Sequence, residues 1–414
     1  MIGYLSERGR KWVRNLPPLV KAHFDNFYNM YDPETNPKGL INMGTAESHL
    51  VDDEICGLIR TVSARMPLSG MDLHYNKFEG SEEFRAAIAA HWEKVVFGAD
   101  AAVRLTKEQV AACAGCTVAL ECLAMLLGDP GDVFLVPAPY YSSFVDDINE
   151  RAGVVAVGVP NALTLDRAAF EEAYAAQVKQ GRRVRAVLFS SPNNPTGKVY
   201  RREELENVLS FAMDHDLDVI SDEIYAQTVF DPKAEFTSLL SLAPDGYRHR
   251  VHVTSSFAKD FVLSGFRTGF CLSYNPEIIR GFASLTYYSC VSSHTQALLT
   301  ELLKAPELPA VMALSVERLG KAYAIIAKGL ADIGVPVMKA EAGIFVFADF
   351  SAYMKEKDFG YEHVLWERIY RDLMINISPG QLFGADGPGW FRTCYAFPKA
   401  TVTETCRRLA EWKL

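Results

Sequence analysis

Short apolar runs rich in β-branched residues recur along this chain, spaced so that a helix fits between neighbours. They are Val133-Phe134-Leu135-Val136, Val154-Val155-Ala156-Val157, Ala186-Val187-Leu188-Phe189, Asp218-Val219-Ile220 and Arg250-Val251-His252-Val253-Thr254. Runs of this length and character read as strands buried on both faces. Their alternation with helical stretches predicts an α/β chain with a mostly parallel, helix-covered sheet. Such sheets hold their ligands beyond the carboxyl ends of the strands. The residues that follow each run are therefore where chemistry is expected.

Those residues are unusual. The first run is followed by Pro137-Ala138-Pro139-Tyr140-Tyr141 and the third by a segment containing Asn194-Pro195-Thr196-Gly197. Ser221-Asp222-Glu223-Ile224-Tyr225 follows the fourth. Just past the fifth lies Lys259, with Ser256 three residues before it and Arg267 eight after it. An amine that can form a Schiff base, flanked by a hydroxyl and a guanidinium, suits a phosphorylated aldehyde such as pyridoxal phosphate (PLP). Each stretch also has an ordinary structural use: turn chemistry for Asn-Pro-Thr-Gly, a helix cap for Asp222, a solvated loop lysine for Lys259. All of these ordinary uses would have to hold together.

A small-residue turn, Cys113-Ala114-Gly115-Cys116-Thr117, opens an apolar helix running to about Leu127. The free N–H groups at such a start, at the positive end of the helix dipole, make a phosphate cradle, with Cys116 and Thr117 supplying N–H groups and Thr117 a hydroxyl. The C-x-x-C spacing of Cys113 and Cys116 has no second ligand pair, so no metal site is expected. No G-x-G-x-x-G follows the early strands, so a dinucleotide fold lacks its fingerprint.

With 414 residues the chain exceeds what one core normally serves. The boundaries read as an N-terminal arm (1–60) packing with the small domain, a large cofactor-binding domain (61–293) and a smaller C-terminal α+β domain (294–414). In the arm, Glu47 stands near a turn leading into a helix, where a carboxylate also suits the dipole. A helix is expected from Ser81 to about Trp92. The last third reads as a long amphipathic helix over residues 309–333, a strand at Ile344-Phe345-Val346-Phe347, a helix over 361–373, a strand over 390–395 and a helix from Thr401. Arg392 inside an apolar strand calls for a carboxylate partner, either a structural acid or a ligand's own.

The net charge of −9 argues against a nucleic-acid or membrane-surface partner, and no apolar run reaches the ~20 residues of a membrane span. Eight cysteines are too sparse for a disulfide scaffold, and with no secretory signal evident a cytoplasmic protein is the expectation.

On these motifs the chain resembles fold-type I PLP-dependent enzymes of the aminotransferase superfamily. Within it, the chain is similar to the 1-aminocyclopropane-1-carboxylate (ACC) synthase group. The closer likeness rests on Met43-Gly44-Thr45-Ala46-Glu47, on Lys259-Asp260 leading to Ser264-Gly265-Phe266-Arg267, and on Pro388-Gly389-Trp390-Phe391-Arg392. The resemblance implies that Lys259 bonds the cofactor and then moves the α-proton. It also implies that Asp222 pairs with the pyridine nitrogen, Tyr225 and Asn194 bond the ring hydroxyl, and Tyr141 stacks on the ring. Cys116, Thr117, Ser256 and Arg267 would hold the phosphate, Arg392 the substrate α-carboxylate, and Glu47 would lie near the reacting end.

The implied substrate is S-adenosylmethionine (SAM), which loses methylthioadenosine from its γ-carbon. The implied assembly is a homodimer with shared active sites, through the loop holding Tyr75 and Phe78. In that loop the family carries a tyrosine two residues before a glycine. Here Phe78 precedes Gly80 and Tyr75 stands where phenylalanine is usual, so capture of the four-carbon fragment by a second small molecule enters as an expectation. An aminotransferase for a large or aromatic amino acid is the alternative.

Overall fold

The computed structural model describes residues 4–13, 17–66, 69–98 and 103–412. The strands, in chain order, are β1 (Ile41–Asn42), β2 (Val110–Cys113), β3 (Val133–Pro137), β4 (Val155–Val159), β5 (Val184–Ser190) and β6 (Asp218–Asp222). They continue with β7 (Val251–Ser256), β8 (Gly269–Ser273), β9 (Phe345–Asp349), β10 (Ile375–Asn376), β11 (Ser378–Pro379) and β12 (Trp390–Cys394).

Seven of them form one sheet in the order β2-β8-β7-β6-β5-β3-β4. The run from β7 through β6, β5 and β3 to β4 is parallel, while β8 lies antiparallel to both β7 and β2. Alternation along each strand sends side chains to opposite faces. Phe134, Val136, Ala186, Leu188 and Ile220 enter one apolar core, and Val133, Leu135, Val187, Phe189 and Val219 enter the other. Both faces are thus covered, which is why these strands read as unbroken apolar runs.

Two strands of this sheet were not evident in the sequence, and neither were the two-residue strands β1, β10 and β11. β2 is made of Val-Ala-Ala-Cys, a short segment whose two alanines dilute the strand propensity of Val110, so that it reads as the approach to a turn. Its pairing with β8, not its composition, makes it extended. β8 itself follows the lysine loop with only the 3-10 turn Ser264–Phe266 before it and no crossover α-helix, so the alternating rule has no place for it.

Between β2 and the helix Cys116–Leu127 the chain turns at Gly115 with φ +104. A Cβ on Gly269 at the start of β8 would meet the carbonyl carbon of Gly115 at 2.5 Å and the nitrogen of Cys116 at 2.6 Å. Bare backbone at both glycines lets the helix start seat against β8. The helix Glu82–His91 is capped by Ser81, whose hydroxyl accepts from the Phe84 N–H at 3.2 Å.

In the last third, β9, β12 and β11 form a three-stranded antiparallel sheet. The helix Leu308–Asp332 packs against Lys399–Glu411. β1 pairs in parallel with β10, tying the N-terminal segment to this region. The turn Asn193-Asn194-Pro195-Thr196-Gly197 bridges to it as well. Asn193 accepts from the Thr196 N–H and hydroxyl at 3.2 and 2.7 Å, and Gly197, at φ +72, accepts through its carbonyl from the Glu341 and Ala342 N–H groups at 2.9 Å.

Candidate active site

The parallel strands end level with one another. Ser190 on β5 is in register with Asp222 on β6, and Asp222 with Thr254 on β7. Over these ends opens a cavity of about 480 Å³, closed on its other side by Gly44 to Glu47, Arg392 and the helix Pro18–Asp25. Eleven of the thirteen residues singled out in the sequence line it, and each element delivers its own share.

Strand β6 and the turn after it place Asp222, Ile224 and Tyr225. The Oδ1 of Asp222 accepts from the Cys116 thiol at 3.2 Å and from the Thr254 hydroxyl at 3.3 Å. Burial pushes the carboxyl up to about 6, against these donors and the nearby Lys259, which pull it down. It therefore ionises near neutrality and gains most from a cation placed against it.

Lys259 reaches the cavity from the loop after β7, and its amine donates to the Ala46 carbonyl. Burial lowers its pKa, opposed chiefly by Glu47. A depressed ammonium is a better source of free amine, which is what bonding to an aldehyde requires. Glu47 is held by the Ser264 hydroxyl, which donates to its Oε1 at 2.6 Å. Asn194 is fixed through its N–H on the Ser190 hydroxyl at 2.9 Å. Tyr141 stands edge-on to Phe144 with ring centroids 5.3 Å apart, and burial raises its hydroxyl to about 12, so it stays a neutral ring.

Arg267 adopts the left-handed conformation, φ 49 and ψ 50, which turns its guanidinium over the start of the helix Cys116–Leu127. A Cβ on Gly115 would meet its Nη2 at 2.9 Å. This sets a cation beside the positive end of a helix, and among the described residues no carboxylate pairs with Arg267. Like charges brought together this way are reconciled by an anion between them. With Ser256 and Thr117 also on this wall, the donor set is that of a phosphate cradle.

The second guanidinium is Arg392 on β12, 5% exposed. Its Nη2 donates to the Gly44 carbonyl at 2.6 Å and contacts Ser378 Oγ at 3.5 Å, while Nη1 contacts Asn194 Oδ1 at 3.4 Å. The Phe383 ring lies 4.8 Å away. Its Nε has no partner, and among the described residues no acid pairs with it. A buried cation with an unpartnered Nε–H and no acid beside it among the described residues can take a carboxylate from outside.

Tyr75 and Phe78 lie outside this chain's cavity. Tyr75 is 96% exposed, and Phe78 packs edge-on against Tyr287 at 4.9 Å, beside exposed Tyr288. Four groups were missed in the sequence. Thr254 bonds Asp222 from inside an apolar strand, Ser264 holds Glu47, and Asp147 enters the cavity from the helix Phe144–Asn149. The helix Pro18–Asp25 brings Leu19, Val20, His23 and Phe24 to the rim. Asp147 stands six residues past Tyr141, and only that proximity hints at it. Among the described residues no group of three His, Cys, Asp or Glu is arranged to hold a metal, and no helix is long and apolar enough to cross a membrane.

Residues 50–409 match the family described as aminotransferase class I and II, and the chain belongs to that family of PLP-dependent enzymes. More particularly, it is 34% identical over 395 residues to 1-aminocyclopropane-1-carboxylate synthase 2 of Cucurbita pepo, covering 91% of this chain and 79% of that one. It is also 34% identical to 1-aminocyclopropane-1-carboxylate synthase of Nicotiana tabacum, covering 90% and 78%. Among solved structures, aspartate aminotransferase from Thermus thermophilus with maleate superposes with a TM-score of 0.81 at 23% identity, covering 99% of each chain. The aspartate aminotransferase of Rhizobium meliloti gives 0.80 at 20%, covering 99% and 98%. The fold is thus the fold-type I architecture.

Proposed function

We propose that this enzyme binds SAM, removes its α-proton and expels methylthioadenosine from the γ-carbon. The observation that carries the reading is Arg392: a buried guanidinium with no acid partner among the described residues, in one cavity with Lys259 and Asp222. The relatives named as ACC synthases supply the substrate class.

The residues present fit PLP, which when bound supplies the electron sink that lets an α-proton leave. Asp222 would hold the ring nitrogen protonated, Tyr225 and Asn194 would bond the ring hydroxyl, and Tyr141 would cover one face. Arg267, Ser256, Thr117 and the N–H groups at Cys116 and Thr117 would fix the phosphate. Arg392 would orient the substrate by its α-carboxylate, so that the α-hydrogen faces the Lys259 amine. That amine, its proton affinity lowered by burial, would take the α-proton and could return it elsewhere. Glu47, fixed by Ser264, would set a negative charge near the sulfonium, and Tyr141 offers a ring face to the same cation. The departing group leaves neutral, so no acid need protonate it.

The four-carbon fragment left behind closes to a ring by attack of its α-carbon on the γ-carbon or, where a β-proton is removed as well, leaves as an unsaturated fragment that joins a second small molecule, which gives up the proton of its nucleophile. We favour the second fate, because Phe78 has no hydroxyl with which to steer the fragment. A homodimer with shared sites accompanies this reading, supported by the exposed Leu73, Tyr75, Tyr287 and Tyr288 around Phe78.

Arg392→Lys tests the assignment. It keeps the charge and loses the fork. SAM binding, measured by calorimetry, should weaken by roughly 2–4 kcal/mol, the scale for breaking a buried charge pair, with melting little changed. Decarboxylated SAM should bind both proteins alike. Unchanged SAM affinity with a collapse in melting temperature would make Arg392 structural instead.

A further inference from the structure

Asp147 is a carboxylate that the chemistry above does not use. It lies on the wall of the same cavity, beside the phosphate cradle, and its Oδ2 accepts from the Thr117 hydroxyl at 3.4 Å. The groups that face it are mostly acidic: Asp222 at the end of β6, Asp146 on its own helix, and Glu121 on the helix that begins at Cys116. Tyr141 stands nearby as well. Glu121 is itself answered by Arg151 at 2.9 Å. Among the described residues no lysine or arginine pairs with Asp147.

A threonine hydroxyl carries one proton and can donate to one acceptor. Here two acceptors compete for Thr117: the Asp147 carboxylate already bonded to it, and the phosphate dianion that the cradle is built to hold. With Asp147 ionised, phosphate either loses the Thr117 donor or leaves a carboxylate unpaired beside a dianion. With Asp147 protonated, its O–H can donate to Thr117 Oγ, and Thr117 can donate onward to phosphate. Thr117 then serves both partners, and one negative charge is gone.

We propose that Asp147 is a proton-carrying member of the phosphate cradle, so that binding the cofactor's phosphate draws one proton from solvent onto its carboxyl. Burial and the surrounding acids already push this carboxyl up to about 7, within reach of such a change. The sign follows from linkage. Binding favours the protonated acid, so affinity is unaffected below the free-site pKa and falls as pH rises above it. This rests on the placement of the phosphate at Thr117 and Arg267, and the test separates the two.

The experiment is calorimetric titration of the apoprotein with PLP and, separately, with pyridoxal, between pH 7 and 9. Buffers of different ionisation heat count the protons. The wild type should take up close to one more proton per PLP than Asp147→Asn near pH 8. Its PLP affinity relative to the variant should fall by about tenfold per pH unit above pH 7. Thr117→Val keeps the acid, cuts the relay and frees Asp147 from a donor to its charged form, so its extra proton uptake near pH 8 should be smaller than that of the wild type. Pyridoxal, lacking phosphate, should show no such difference. Equal proton uptake by wild type and both variants would overturn the role of Asp147. PLP binding no tighter than pyridoxal in the wild type would overturn the cradle itself.

Discussion

Two guanidinium groups that pair with no acid among the described residues define the cavity at the scale of single residues. Arg267 sits over a helix start and Arg392 is buried among aromatic rings, and in the proposed reaction each would be satisfied by a different anion of the reacting pair. In the sequence, Arg392 could be read only as needing a carboxylate, because whether an acid reaches it depends on contacts far away in the chain. Asp222 shows the same limit. Its place after a strand was legible, but the Cys116 and Thr254 donors beneath it come from two other elements. Cys116→Ala should remove one donor to its carboxylate. A donor to the charged form lowers a pKa, so its loss should raise that of Asp222. The acid limb of the pH dependence of PLP binding should then move to higher pH, with a cost of about 1 kcal/mol for the lost bond at neutral pH. An unshifted acid limb would mean that the thiol does not act on Asp222.

Among the elements, the parallel strands were legible because burial on both faces leaves unbroken apolar runs. Their observed ends differ from the reading by a residue or two, as at β7, which continues through Ser255 and Ser256. β2 and β8 were not legible, since one is short and small-residued and the other breaks the strand-helix alternation. The loop before Gly80 carries the element-scale prediction. It lies outside this chain's cavity, with Phe78 held edge-on by Tyr287. If it completes a neighbouring subunit's site, Phe78→Tyr should raise the share of ACC among the products from SAM, while Tyr75→Phe leaves it unchanged. An inactive Lys259→Ala subunit mixed with one disabled in this loop should regain activity on subunit exchange. No recovery after demonstrated exchange would remove the support for shared sites.

Across the whole molecule, the sheet carries a buried acid whose ionisation the fold resists. Glu223 follows β6 and is fully buried, its Oε1 accepting from Leu239 N–H at 2.8 Å and the Ser221 hydroxyl at 3.2 Å, its Oε2 unpartnered. Burial raises it to about 8. An acid whose folded pKa is raised contributes stability that is full below its unfolded pKa, near 4.5, and is lost as pH rises to about 8. Glu223→Gln removes that dependence. Its unfolding free energy relative to wild type should therefore climb between pH 5 and 8.5, by an amount on the order of a few kcal/mol. A difference that stays flat with pH would show that Glu223 is ionised in the folded protein.

The most direct test of the account as a whole is product analysis after the holoenzyme is incubated with SAM alone, and separately with amino acids plus 2-oxoglutarate. We predict methylthioadenosine from SAM, with 2-oxobutyrate and little ACC in the absence of a second reactant, and no appreciable glutamate from the second mixture. Glutamate formation without methylthioadenosine release would contradict the proposed reaction, and stoichiometric ACC from SAM alone would contradict the fate assigned to its four-carbon fragment.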